Sequence, residues 1–305
     1  MPRSAPLSPL LARALVGARR FLKRADKGLF GVEVVNGGAD MSRGPETWDP
    51  MRRQAEACFV LSTGRTATAT LTGLLGTAPG IDAHHEPEPR LVAASYLAWV
   101  GEGDDAFWRD AVRLARDRAV FAAHKRGKVY FESSHRLSLL AGALAAVYPR
   151  SRFLLVARRP EDFIVSGVRR GFYSGHPWDY ARPRPQPGDP AAEAWSGWSS
   201  ERRCAWLWRA TYEHCLAFGE ALPAERFHVL RCEDLFARDY AVLDGVFRFV
   251  GTEPPPRRRL ESELARKRNR QNGLFPWGRE PTWSADERAE ILGELDPLLA
   301  RLGYR

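Results

Sequence analysis

From residue 51 onward, short runs of consecutive apolar residues alternate with longer stretches whose apolar positions recur every three or four residues. Unbroken apolar runs between turn residues read as strands buried on both faces, and the longer period reads as amphipathic helix. The runs at 58–62 (CFVLS), 129–132, 153–157 (FLLVA) and 227–231 predict strands. Helices are predicted over 67–76, 104–119, 137–148, 163–170, 200–221, 240–250 and from residue 284 to about residue 302. Asp104 or Asp105 caps the second of these, Pro149 ends the third, and Ser284 with Glu287 three residues on forms a capping box for the last. The proline-rich segment 177–190 predicts a loop. Apolar strands alternating with helices predict one α/β domain, a central parallel sheet flanked by helices, over 51–305.

Residues 1–50 follow another pattern. Leu10, Leu11, Ala14, Leu15, Ala18 and Leu22 form an apolar stripe at helical spacing, with Arg13, Arg19, Arg20, Lys23 and Arg24 among them. Such a segment is first of all an extension or a helix packed on the main body. Its second reading is a basic amphipathic helix in peripheral contact with an anionic membrane through residues 1–28. It lacks the compact apolar core and cleavage site of a signal peptide. A Gly/Asp/Ser/Pro-rich linker, 37–50, separates it from the domain.

The chain has 305 residues and no apolar run approaching the ~18 of a membrane span. Four cysteines form no CxxC pair and no Cys/His cluster at zinc spacing, so a reducing, cytoplasmic compartment is expected, with the inner face of the membrane as a possible working place. Lys+Arg 46 against Asp+Glu 37 gives a net charge of +9. Such a field favours an anionic ligand: nucleic acid, an acidic membrane or a phosphorylated small molecule.

The first strand runs into Ser62-Thr63-Gly64-Arg65-Thr66-Ala67-Thr68 and then a helix. Free N–H groups at a helix start, the helix dipole and neighbouring hydroxyls make that junction an anion site. A nucleotide triphosphatase would show G-x-x-x-x-G-K-[ST] there, with a later acid to hold magnesium. Here Arg65 replaces the lysine, and the strand 153–157 ends in Arg158-Arg159 rather than an acid. That pattern suits metal-free transfer of a group already attached to a phosphate. Arg158 at a strand end and Ser166 eight residues later form a second possible phosphate seat. Two seats at two strand ends imply a nucleotide carrying two phosphate groups, because ligands lie outside the carboxyl ends of parallel strands.

In these motifs the chain resembles the PAPS-dependent sulfotransferases over roughly 57–305. STGRTAT is similar to their 5′-phosphosulfate loop, and Arg158 with Ser166 to their 3′-phosphate pair. Segment 228–235 resembles their R-Y-E-D-L strand, Phe249-Val250-Gly251 their F-L-G, and Trp283 with Leu302-Gly303-Tyr304 their closing segment. Ala67 and Ala69 depart from the pattern, standing where the family often has Gly and Thr. The resemblance implies a P-loop-like sulfotransferase fold and transfer of a sulfuryl group from PAPS, leaving PAP, to an acceptor hydroxyl or amine with no metal required. The donor contacts it implies are Thr63, Gly64, Arg65, Thr66, Ala67, Thr68, Arg158 and Ser166. Lys267, Arg268 and Asn269 are added from the basic stretch 266–273, which on composition alone is a solvated charge run.

The acceptor must lose a proton as it attacks, so a carboxylate or histidine is needed within reach, and the leaving oxygen suits Arg65 and the loop amides. Glu86, in the segment Asp82-Ala83-His84-His85-Glu86-Pro87-Glu88-Pro89, is the first choice. The prolines make this stretch extended and stiff, and Glu86 lies where the resemblance to tyrosylprotein sulfotransferases puts a catalytic glutamate. His85 is the neighbouring alternative. Glu132, in Phe131-Glu132-Ser133-Ser134-His135, matches the glutamate of heparan sulfate N-sulfotransferases, although its residue type at that place also fits a buried ion pair with a nearby arginine. Tryptophans 195, 198, 206 and 208 read mainly as core, with one or two as candidates to line a cleft. The expected acceptor is a carbohydrate, glycolipid or peptide, with carbohydrate or glycolipid favoured. Two rival readings stand beside this one: a P-loop kinase of small molecules using magnesium–ATP, and a basic nucleic-acid-binding protein whose affinity would fall steeply with salt. No specific nucleic acid is expected.

Overall fold

The computed structural model describes residues 48–266 and 275–304. The basic segment expected to touch membranes, and Lys267, Arg268 and Asn269, lie outside the described residues. Helix α1 (Trp48–Gln54) leads into strand β1 (Ala57–Leu61), every residue of which is buried. Helix α2 (Thr68–Leu75), strand β2 (Ile81–His85), helices α3 (Val92–Trp99) and α4 (Asp105–Lys125), and strand β3 (Val129–Ser133) follow. A 3-10 turn (His135–Leu140) and helix α5 (Ala141–Val147) lead to strand β4 (Arg152–Ala157) and helix α6 (Pro160–Arg169). The second half holds α7 (Ser200–Glu220), β5 (Phe227–Arg231), α8 (Cys232–Phe236), α9 (Tyr240–Val250), α10 (Arg257–Leu264) and α11 (Ala285–Arg301).

The five strands form one sheet in the order β2-β3-β1-β4-β5, with every neighbouring pair parallel. Alternate residues of each strand point to opposite faces, and the core divides accordingly. Phe59, Leu61, Tyr130, Phe153 and Leu155 pack with Val112 and Val120 of α4 and with Trp208 and Tyr212 of α7. Cys58, Val60, Phe131, Leu154 and Val156 pack on the other face with Leu71 and Leu74 of α2 and with Val246 and Phe247 of α9. Both faces are covered, which is why these strands read as unbroken apolar runs. The chain moves from β1 outward to β2, returns to β3, then crosses β1 to β4. The direction of winding therefore switches between β1 and β4, the place where such sheets open a crevice.

The expected α/β parallel sheet is present, with local departures. Segment 82–85, expected only to be part of an extended stretch, is the edge strand β2, pairing His84 with Glu132 and His85 with Ser133. As an edge, it buries Ile81 alone, so its sequence lacks an apolar run. Segment 137–148 divides into the 3-10 turn and α5, and the proline-rich loop contains a single 3-10 turn, Asp179–Ala181. Asp104 caps α4 by accepting from the Phe107 N–H at 2.8 Å. Ser284 caps α11 through the Glu287 N–H at 3.1 Å. The Glu287 carboxylate accepts from the Ser199 hydroxyl at 3.0 Å and so ties α11 to the start of α7.

Candidate active site

Loop 62–67, between β1 and α2, takes its shape from left-handed backbone at Gly64 (φ 76°), Arg65 (φ 59°) and Ala67 (φ 57°). At the glycine this costs nothing; at the arginine and alanine it is strained. Helix α2 has no side-chain cap at its start, so its first amides face the loop's concavity. Thr66 is fully buried and its hydroxyl has no hydrogen-bond partner.

The two motifs converge. Arg65 Nε donates to Ser166 Oγ at 3.0 Å, and Arg158 Nη1 donates to the Arg65 carbonyl at 2.7 Å. Their convergence follows from β1 and β4 being neighbours, with Leu61 opposite Leu155. Tyr212 on α7 fixes the start of the Arg158 segment: its hydroxyl accepts from the Arg158 N–H at 3.2 Å and donates to the Val156 carbonyl at 3.1 Å. The 228–235 segment and the C-terminus also meet: Arg231 pairs with both oxygens of Asp234 at 2.9 Å, and Glu233 accepts from the Arg159 N–H at 2.9 Å and the Tyr304 hydroxyl at 2.8 Å.

A cavity of about 910 Å³ opens at these strand ends, lined by residues 62–70, His85, Glu86, His135 and Arg158 among others. Six arginines (65, 90, 136, 158, 170 and 182) line it against three carboxylates, Glu86, Asp162 and Glu233. Burial, and then the nearby charges of Arg170 and Arg158, bring the Arg65 guanidinium down to about 10. A cavity lined by six arginines against three carboxylates is suited to a polyanion. Ser166 is buried behind Arg65 and reaches the cavity through it. Among the described residues no three His, Cys, Asp or Glu side chains gather at metal-binding geometry.

Glu86 is not extended as its prolines suggest: it turns into left-handed backbone (φ 45°), with its N–H bonded to the Ser133 carbonyl at 2.9 Å. That turn ends β2 and places the carboxylate over the cavity, 3.4 Å from His135 Nδ1. The hydrogen bond from His135, against the opposing effect of burial, holds the Glu86 carboxyl at about 2. Burial keeps the His135 imidazole below its ordinary value, so it is a neutral donor near pH 7. His85 is beside Glu86 but its Nδ1 is engaged with Ser133 Oγ at 2.8 Å.

Glu132 is elsewhere. It is fully buried on β3, where it accepts from Arg116 Nη2 at 2.8 Å and from the Tyr130 hydroxyl at 2.7 Å, and it does not line the cavity. That placement matches the alternative reading of Glu132 as a buried ion pair with a nearby arginine. Tryptophans 195, 198, 206 and 208 also stay out of the cavity; Trp178, from the proline-rich loop, lines it instead. Sequence reasoning passed over Arg170, Arg182 and Tyr212. The density of arginines around 169–184 was a usable signal for Arg170 and Arg182, whereas nothing local marks Tyr212.

A family model described as "Sulfotransferase family" matches residues 58–256. No curated protein matches the chain. Among solved structures, the chain is similar to the sulfotransferase domain from the curacin biosynthetic pathway (16% identity, 83% of this chain and 99% of that one, TM-score 0.49). It is also similar to the sulfotransferase domain of the Synechococcus PCC 7002 olefin synthase (13%, 80% and 95%, TM-score 0.48). A sulfotransferase from Alicyclobacillus acidocaldarius is a third (17%, 80% and 93%, TM-score 0.47).

Proposed function

The chain belongs to the sulfotransferase family, and from that premise we propose that it moves a sulfuryl group from PAPS to an acceptor hydroxyl, on a carbohydrate or glycolipid, with Glu86 as general base. The observation that carries this reading is the convergence of Arg65, Ser166 and Arg158 from two neighbouring strand ends beside an uncapped helix start. One set of amides and guanidinium groups takes the 5′-phosphosulfate. The Arg158 seat takes the 3′-phosphate. In the reaction the acceptor oxygen bonds to sulfur as the bond from sulfur to the donor's phosphate oxygen breaks. Its electron pair stays on that oxygen, giving PAP, and the acceptor proton passes to Glu86.

The ionised Glu86 is ready to accept a proton at any physiological pH. Bringing the donor's negative charge beside it raises its affinity for that proton, which moves it toward the range of a working base. Arg65 and the loop amides stabilise the charge that grows on the leaving oxygen. The four cysteines are buried and unpaired, in keeping with a cytoplasmic setting. The kinase reading is less favoured, because the strand end that would offer an acid to magnesium offers Arg158.

Thermal melts with PAP, PAPS, ATP and magnesium–ATP test the proposal, since a ligand of the folded state raises the melting temperature with its concentration. PAP should stabilise the protein without metal, and Arg158→Ala should remove that response. A response to magnesium–ATP with none to PAP would overturn the reading in favour of the kinase.

A further inference from the structure

The arginines of the cavity form two groups. Arg65 and Arg158 meet at the loop after β1, and Arg170, which follows the last residue of α6, is near enough for its charge to act on Arg65. Arg90, Arg136 and Arg182 form a second group of lining residues, Arg136 interacting with Glu86 and with the charges of Arg182 and Arg90. Arg90 Nε is paired with Glu88 at 3.0 Å, and Arg182 Nε with Asp179 at 2.8 Å. Arg136 differs. It is about nine-tenths buried, with 9% of its surface exposed, and its Nε is buried without a hydrogen-bond partner. Its guanidinium lies over the ring of Trp178, 5.3 Å from the centroid. A stacked ring supports a cation but supplies no acceptor for its N–H groups. A buried guanidinium in this state is costly unless an anion completes it.

The donor does not answer that need. On the reading given above, its anionic groups go to Arg65, Arg158 and the loop amides, with the transferring sulfuryl between the loop and Glu86. What is left to reach Arg136 is the acceptor, which also meets Glu86. We propose, on the sulfotransferase reading given above, that the acceptor is itself an anion, holding a carboxylate, sulfate or phosphate group on the guanidinium of Arg136 while it presents its hydroxyl to Glu86. Trp178 covers one face of Arg136 and leaves the planar edge, with its paired N–H donors, to grip the anion. Arg182, already tied to Asp179, adds positive potential without competing for the same oxygens. The acceptor class is thus a hydroxylated acid or an ester of sulfate or phosphate, and a neutral sugar or phenol fits less well.

The test uses protein saturated with PAPS, so that the sulfuryl position is filled and an added anion has to go elsewhere. Potassium sulfate and potassium acetate are titrated in separate arms at ionic strength held constant with potassium chloride, and the melting temperature is read. The wild type should show a saturating rise. Arg136→Met should lose it, keep the full response to PAP and PAPS, and melt no lower than wild type when free of ligand, because burial of the charge outweighs its attraction to Glu86. Arg136→Lys, which keeps the charge without the fork, should respond only at several-fold higher anion concentration. A response confined to sulfate names an ester as the acceptor's anion, and a stronger response to acetate names a carboxylate. The proposal is overturned if the loaded wild type ignores both anions, or if Arg136→Met responds as wild type does. It is also overturned if Arg136→Met weakens PAPS but not PAP, since Arg136 would then hold the transferring sulfuryl. Failure of PAP and PAPS to bind, with an Arg136-dependent anion response intact, would instead sink the donor reading alone.

Discussion

His135 Nδ1 faces Glu86 Oε1 across 3.4 Å, and the same imidazole rests on the donor loop, where a Cβ added to Gly64 would meet its Cγ at 3.3 Å. One ring therefore touches the two parts that must act together, the proposed base and the loop proposed to hold the donor. Because β1 and β3 are neighbours in the sheet, their following segments emerge side by side and make this contact.

If Glu86 takes the acceptor's proton, Glu86→Gln should lower turnover by ~10²–10⁴-fold. Its amide retains the shape, so PAP affinity should be unchanged. Measuring PAP release under saturating donor, together with PAP titration, separates these two quantities. Turnover close to that of wild type would move the role of base to His85, which shares the cavity wall.

The same pair sets a dependence of stability on pH. Glu86 is held at about 2 in the folded protein, below its ordinary 4.5, by its bond to His135. A depressed carboxylate contributes stability that is fully present above the unfolded value and is lost as pH falls from about 4.5 toward about 2. His135, lowered by burial, also favours the unfolded chain as acid is added, beginning at the higher pH where a free imidazole titrates. Both slopes have the same sign, but Glu86→Gln removes only the more acidic one. Melting temperatures of wild type and variant should therefore converge as pH falls through that lower window. Parallel curves down to pH ~2 would show that the bond to His135 does not hold in solution.

Glu132 offers the contrasting case. It and Arg116 are buried together, 0% and 1% exposed, so removing one partner strands the other's charge. Glu132→Ala should cost ~3–5 kcal/mol of stability, visible in a denaturant melt, while the folded fraction keeps its affinity for PAP. A stable variant that has lost turnover would return Glu132 to the list of bases and contradict its place outside the cavity.

How far the sequence disclosed this arrangement depends on where each signal resides. Strands β1 and β4 were legible because burial on both faces leaves an unbroken apolar run, and the motifs at their ends marked Arg65, Arg158 and Ser166, but they paired Ser166 with Arg158, where the structure bonds it to Arg65. Strand β2 was not, since an edge strand buries little and IDAHH has no such run. Glu86 was found through its motif, but its left-handed turn was not foreseeable from the prolines, because the bond from its N–H to the Ser133 carbonyl belongs to the neighbouring strand. Glu132 and Arg116 come from β3 and α4, and only packing shows that they meet. Arg136 sits in a 3-10 turn and Tyr212 in the middle of a long helix, so the place of one in the cavity wall and the bond of the other to the Arg158 N–H depend wholly on tertiary contacts.

Gly64 is where loop shape and proposed chemistry can be tested with a single methyl group. Its φ of 76° is left-handed, a region that costs an L-residue roughly 1–2 kcal/mol. The added Cβ would also press on His135 at 3.3 Å, closer than ordinary carbon contacts, so the ring must give way. Gly64→Ala should thus lose about 1–2 kcal/mol of stability and loosen the bond from His135 to Glu86. Without that bond the Glu86 carboxyl moves up toward its ordinary range, and the acid limb of the rate profile should shift to higher pH. Stability and the pH–rate profile are measured on the same preparation. A destabilised variant whose acid limb stays in place would show that His135 does not govern Glu86, and that the contact with the loop is packing alone.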